Sequence, residues 1–238
     1  MAIDHFTLSF LFQIINPKDV NAKSTYIPAL KYNWLTQFYD GVLNTFLREK
    51  TFKSKLIDSM KSSNPKHILD IGCGTATLSL MMETSFREAC VTGLDGDEKI
   101  LTIAREKIKS SQSKVRLVQA MSYSIPPSQG LFDVVTSSLM LHHLNAKNKA
   151  ETLREVHRVL RPNGIVAIAD WGKPSNLFMR LVFYIVQILD GFETTTDNVQ
   201  GKIPQYLINA GFQEVKEIEK IDTILGTVSI YQGKKLNT

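Results

Sequence analysis

Residues 67–79, HILDIGCGTATLS, constrain this chain most: an apolar strand ends in an acid and then a glycine turn that opens a helix. Ile68, Leu69 and Ile71 suit a buried strand, while Gly72 and Gly74 let the backbone pass close to a ligand that side chains would block. A helix beginning near Ala76 points its free amide hydrogens at the same spot, which favours a bound carboxylate or phosphate. A dinucleotide turn usually reads G-x-G-x-x-G, but Ala76 and Thr77 stand where the third glycine would fall. Asp70, just before the turn, would also repel a pyrophosphate. An acid beside an anion-binding helix terminus instead suits a zwitterion, with its amine near Asp70 and its carboxylate near the helix start. An amino-acid-like cofactor tail fits that description.

A second strand, 89–94, leads into Asp95, Gly96 and Asp97. Asp95 falls about 20 residues beyond the glycine turn, where a ribose-binding acid is expected, and a carboxylate can accept hydrogen bonds from both ribose hydroxyls. Strand and helix patterns alternate around these acids: strand 68–71, helix 76–84, strand 90–94, helix 98–109 and strand 115–119. Such alternation predicts a parallel sheet. Strand 132–137 and a helix capped by Asn145 follow, then a turn at Pro162, Asn163 and Gly164. Strand 165–169 delivers Asp170 and Trp171 at its carboxyl end, where open parallel sheets place ligands. An apolar helix 177–189, a polar stretch 193–198, a helix 203–210 and strands 214–220 and 223–231 complete the reading. Upstream, Leu30, Trp34, Phe38, Val42 and Phe46 recur at helical spacing, as do Phe52, Leu56 and Met60. Two amphipathic helices are therefore expected before Pro65.

With both acids and the glycine turn in place, the sequence resembles the class I S-adenosylmethionine-dependent methyltransferases. Within them it is closest in pattern to the small-molecule group of ubiquinone and menaquinone biosynthesis. The resemblance runs over about residues 26–231. It implies a Rossmann-like, doubly wound α/β fold with a mostly parallel seven-stranded sheet ending in a hairpin. It also implies helical lid elements: an N-terminal segment 1–64, then a core 65–238 with an inserted apolar helix near 175–190. Asp70, Gly72, Cys73 and Gly74 match the first cofactor motif, with Cys73 as a small buried filler, and Asp95 with Gly96 matches the ribose site. The family usually carries an acid for the adenine amino group near Met121, and Met121 cannot accept that hydrogen bond; apolar packing by Met121 with a Ser122 contact would replace part of it. The segment FDVVTSSLMLHHL resembles the fourth motif, which brings Ser137 and Ser138 to the cofactor tail. Its His142 and His143 are the candidate catalytic bases, because histidine titrates near neutral pH. A helix-start or packing role competes with that assignment. Tyr39, in a segment resembling a cofactor-lid motif, and Trp171 are the candidate substrate contacts, weighed against ordinary core packing. The residues before strand 132–137 are few, so the helix expected there reduces to a turn.

The remaining function classes narrow by what is missing. There is no N-P-P-[FY] segment for nucleic-acid amino methylation, no cysteine placed for cytosine carbon methylation, and too few cysteines for arsenite chemistry. No metal ligand set is expected. The formal charge of +5 is spread over many helices, so basic runs read as solvated faces and no nucleic-acid partner is expected. Asp4 and His5 stand where a signal peptide would be basic, the run 177–189 is too short to span a bilayer, and a cytoplasmic location is the expectation. A small lipophilic acceptor fits the apolar segments around Phe38 and 177–189, and transient membrane-surface contact is a further expectation. The alternative class is a noncatalytic cofactor-binding or assembly subunit.

Overall fold

The computed structural model describes residues 48–126 and 130–237. Tyr39 and the apolar spacing from Leu30 to Phe46 lie outside the described residues. Within them, seven α-helices flank one seven-stranded sheet of order β3-β2-β1-β4-β5-β7-β6. The strands are β1 (His67–Ile71), β2 (Cys90–Asp95), β3 (Arg116–Gln119), β4 (Phe132–Ser138), β5 (Leu160–Trp171), β6 (Gln213–Thr223) and β7 (Gly226–Lys234). β7 runs antiparallel between β5 and β6, and the remaining pairs are parallel. This is the Rossmann-like α/β architecture that the sequence implied, with the expected terminal hairpin.

The helices are α1 (Glu49–Met60), α2 (Thr77–Ser85), α3 (Glu98–Ser110), α4 (Ala146–Val159), α5 (Leu177–Asp190), α6 (Phe192–Val199) and α7 (Ile203–Asn209). Apolar strands with both faces covered divide the core in two. Leu153, Val156 and Val159 of α4 pack with Val135, Val166 and Ile168 on one side, and Phe52, Leu56 and Met60 of α1 pack with Val134, Ala167 and Ile230 on the other. The expected cap is present, Asn145 Oδ1 accepting from Asn148 N at 2.9 Å to start α4, and Asp97 Oδ1 likewise accepts from Lys99 N at 2.8 Å to start α3.

Two local expectations are corrected. Pro162, Asn163 and Gly164 do not end one element and begin another; they lie inside β5, where Asn163 takes φ 64° and the pairing with β4 slips between Phe132 and Val134. Bulged strands absorb extra residues in this way. The polar stretch 193–198 is the helix α6, which its low apolar content hid from a periodicity reading. Between β3 and β4 the described residues form turns without a helix, as the short spacing implied.

The strand order reverses between β1 and β4, and open sheets bind ligands beyond the carboxyl ends of their strands at such a switch point. Leu153→Ala, at a position with no exposure, is expected to cost about 2–5 kcal/mol in urea unfolding. A loss under ~1 kcal/mol would show that α4 is not the main lid of that half of the core.

Candidate active site

The sheet brings the two sequence-selected acids to adjacent strand ends. Asp70 pairs with Gly93 in register, and Asp95 is the last residue of the neighbouring β2. Asp70 is buried and its Oδ2 accepts from Ser79 Oγ at 2.6 Å. Burial pushes its pKa up from 3.8 to about 7, against the opposing Ser79 hydrogen bond and the Lys53 charge. Asp95 is held differently: Oδ2 accepts from Gly74 N at 2.9 Å and Oδ1 from Asp97 N at 3.0 Å. Burial raises its pKa too, while these backbone donors oppose the shift.

Between the acids runs the glycine turn. Gly72 sits at φ 65°, and a Cβ there would lie 2.3 Å from Met140 Cγ, so this position needs glycine for both conformation and space. Gly74, at φ 55°, has open space where its Cβ would be. Cys73 is buried with its sulfur against Gly93, and burial pushes the thiol pKa up, which fits an inert filler. Ala76 is the N-cap of α2, in the left-handed region, and no described side chain caps the first turn of that helix. Its amides remain for a ligand. Across the turn, the hydroxyls of Ser137 and Ser138 on β4 are buried without a hydrogen-bond partner among the described residues. Orphaned buried hydroxyls beside an open glycine turn match a site built for a polar guest. Met121 lies across Gly96, its sulfur 2.6 Å from where a Cβ would stand, whereas the Ser122 hydroxyl is engaged with Thr152 at 2.9 Å.

A second cluster forms at the carboxyl end of β5. Asp170 is fully buried and accepts from Met140 N at 3.1 Å, Leu141 N at 2.8 Å, Trp171 N at 2.7 Å and Asn198 Nδ2 at 3.1 Å. His142 Nδ1 lies 2.8 Å from Asp170 Oδ1, and His142 Nε2 faces Asp190 Oδ2 at 3.7 Å. Burial alone would raise the Asp170 pKa, but His142 and the backbone donors bring it below the usual carboxylate range. His143 shares the short 3-10 turn Leu141–His143, and its pKa falls to about 3 through burial and the neighbouring His142. Burial raises the Asp190 pKa.

The structure thus unites His142 with Asp170, and adds Asp190, Asn198 and Met140, which sequence reasoning missed. Asn198 and Asp190 sit on α6 and α5, far from any motif. Only their polarity beside apolar helical spacing could have marked them. No metal set was expected, yet ligand atoms of His142, His143 and Asp190 lie within 4.8 Å of one another. Trp171 is buried, edge-on to Phe183 at 5.2 Å between ring centres, so it contributes packing here. A cleft of about 710 Å³ between α5, α6 and the segment after β5 includes Lys173, Arg180 and Phe192 in its lining; it shares no residue with the glycine turn or the histidine pair. No described helix is long and apolar enough to cross a membrane.

Comparison with known proteins places these features in context. The profile of a methyltransferase domain matches residues 68–164. A demethylmenaquinone methyltransferase of Listeria welshimeri is 32% identical over 207 residues, 79% of this chain and 85% of that protein. A protein of Synechocystis named as an uncharacterized methyltransferase is 30% identical over 169 residues, 71% of this chain and 77% of its own. Among solved structures, the S-adenosylmethionine-dependent methyltransferase SibL superposes with a TM-score of 0.64 at 19% identity, covering 89% of this chain and 60% of its own; that likeness speaks to the fold.

Two outcomes follow from the electrostatics. Because the folded pKa of Asp70 is raised, its ionisation destabilises the ligand-free protein progressively between about pH 4 and 7. Asp70→Asn is therefore expected to be the more stable form by a margin that grows across that window, towards ~4 kcal/mol, in denaturant titrations at stepped pH. A margin independent of pH would refute the assignment. Asp170→Asn, which leaves buried donors unmatched, is expected to cost about 3 kcal/mol in the same measurement.

Proposed function

Because this chain belongs to the class I S-adenosylmethionine-dependent methyltransferase family, we propose that it methylates a small lipophilic acceptor, with the cofactor at the ends of β1 and β2 and the acceptor beside the His142–His143 turn. The chain is a methyltransferase and S-adenosylmethionine is its cofactor. The observation that carries the site reading is the pair of acids on neighbouring strands, Asp70 and Asp95, with the open Gly74 and the uncapped start of α2 between them.

In this reading the cofactor amine sits toward Asp70, its carboxylate meets the first turn of α2 with Ser137 and Ser138, and its ribose meets Asp95. Each oxygen of Asp95 already accepts one backbone hydrogen and keeps capacity for another. Met121 packs on the adenine from across Gly96, in place of the acid that relatives use. The bound cofactor supplies an already activated methyl group, so the chain's own residues need only position the acceptor, exclude water and take a proton.

His142 is the better placed proton acceptor of the pair. Its Nδ1 donates to Asp170, which leaves Nε2 as the atom that can accept and sets Asp170 to stabilise the imidazolium that results. His143, with its pKa depressed, stays neutral at physiological pH and lines the site. The lipophilic acceptor is supported by the likeness to the demethylmenaquinone methyltransferase of Listeria welshimeri and by the apolar side of α5 that reaches Trp171. The hydroquinone form of a demethylated quinone, whose ring carbon is nucleophilic once a phenolic proton is taken, is accordingly the first acceptor to try.

Asp95→Ala is expected to weaken cofactor binding about 10- to 100-fold by titration calorimetry, the scale of a lost charged hydrogen bond. Unchanged affinity would remove Asp95 from the site. With demethylmenaquinol or another lipophilic phenol that turns over, His142→Ala is expected to lower kcat while leaving cofactor affinity intact. Full turnover at every pH would eliminate the base assignment, and absence of methylated product with any lipophilic acceptor would sink the substrate reading.

A further inference from the structure

Two hydrogen-bond acceptors face each other at the histidine turn. His142 Nδ1 is engaged with Asp170 Oδ1 at 2.8 Å, which leaves the ring's lone pair on Nε2, and Nε2 looks across 3.7 Å at Oδ2 of Asp190, the last residue of α5. That gap is too long for a hydrogen bond. Among the described residues no other donor reaches the Asp190 carboxylate. His142 is buried and Asp190 half-buried, so the facing pair is unfavourable until a cation lies between its members.

His143 closes a third side. Its ring centre is 4.0 Å from that of His142 with a tilt of 44°, and ligand atoms of His142, His143 and Asp190 all lie within 4.8 Å of one another. Two ligands on one tetrahedral zinc ion stand roughly 3.4 Å apart, given bonds of about 2.0–2.2 Å. The gap between His142 and Asp190 is therefore already close to a coordinated spacing. His143 and Asp190 are partly exposed, which leaves their side chains free to close the remaining distance.

We propose that His142 Nε2, His143 and Asp190 bind a divalent transition-metal ion, and that the ion, by occupying Nε2, arrests methyl transfer. The binding stands on the geometry; the arrest rests on the proton-accepting role proposed above for His142. Two imidazole nitrogens and one carboxylate oxygen suit zinc and its neighbours, whereas magnesium and calcium take oxygen sets. Three protein ligands leave a fourth position for water. Asp170 supplies the outer carboxylate that metal-bound histidines carry on their second nitrogen, where it fixes the tautomer and raises the basicity of Nε2. Its hydrogen bonds to Met140 N and Leu141 N also hold the turn on which both histidines stand, so the donors are set before an ion arrives. With Asp170 and Asp190 both ionised, the two carboxylates offset the charge of the ion.

Cobalt(II), added to the full chain after dialysis against EDTA, is the direct probe, because the bound ion absorbs in the visible and zinc is silent. One equivalent is expected to bind, to be displaced by zinc and not by magnesium, and to show no thiolate-to-cobalt band, since neither Cys73 nor the exposed Cys90 belongs to the cluster. His143→Ala and Asp190→Ala are each expected to weaken binding by at least about 10-fold, with circular dichroism and cofactor affinity as in the parent. In assays with demethylmenaquinol, zinc is expected to inhibit with a midpoint that matches its binding constant, and EDTA to restore the rate. A thiolate band, or equal affinity in both variants, overturns the site. So does a protein that takes up no cobalt, which would leave a proton alone to bridge the pair. Tight binding that leaves turnover untouched overturns the arrest. The spectra need no acceptor, so a failure of the proposed reaction does not alter them, and a failure of the metal site leaves the methyltransferase reading standing.

Discussion

The carboxylate of Asp170 is the interaction on which the histidine-bearing end of this molecule depends. A buried charge is costly unless it is saturated with hydrogen bonds. Here it is met by three backbone amides, one imidazole and one carboxamide, drawn from the loop after β4, from β5 itself and from α6. One side chain thereby fixes the turn that carries both histidines, the orientation of one imidazole and the seat of α6. The cost of burying the charge is offset only while all three segments stay in place.

The end that carries the glycine turn, proposed as the cofactor site, is organised on the opposite principle. Asp95 is partly open and tied by two backbone amides, and among the described residues no side chain caps the first turn of α2 and none partners the hydroxyls at the end of β4. Groups left unmatched in a folded protein are a reserve of binding energy for a ligand that matches them. Met140 joins the two ends, its side chain against Gly72 and its amide on Asp170. A shift of the glycine turn on binding would press on Met140, and through its amide on the histidine turn.

Much of this was legible from residues alone, for physical reasons. β1, β2 and β4 are buried along most of their length because parallel strands are covered on both faces, and their Ile, Leu and Val residues are the signal by which they are read. The glycine turn is legible because its backbone angles exclude most residues, and the Asn145 cap because its hydrogen bond is local. Helix α6 was hidden because its contacts, such as Asn198 with Asp170 and Thr195 with Gln187, are specific polar ones with no period. The turn expected at Pro162, Asn163 and Gly164 was misplaced for a related reason: left-handed backbone at Asn163 can serve a bulge as readily as a turn, and only the neighbouring strand decides.

The amino-acid sequence by itself determined the layered α/β plan, the strand–turn–helix around Gly72 and Gly74, and the acid at the end of β2, since each rests on interactions between residues close along the chain. Tertiary structure alone decided that His142, Asp170, Asp190 and Asn198 form one polar cluster, because their contacts join a loop, a strand and two helices. The pairing of those groups depends on distances in space that no local pattern encodes. The same is true of the exposed side of α5: its run of large apolar residues is visible in the sequence, but which of them the sheet covers is settled only by how the helix packs.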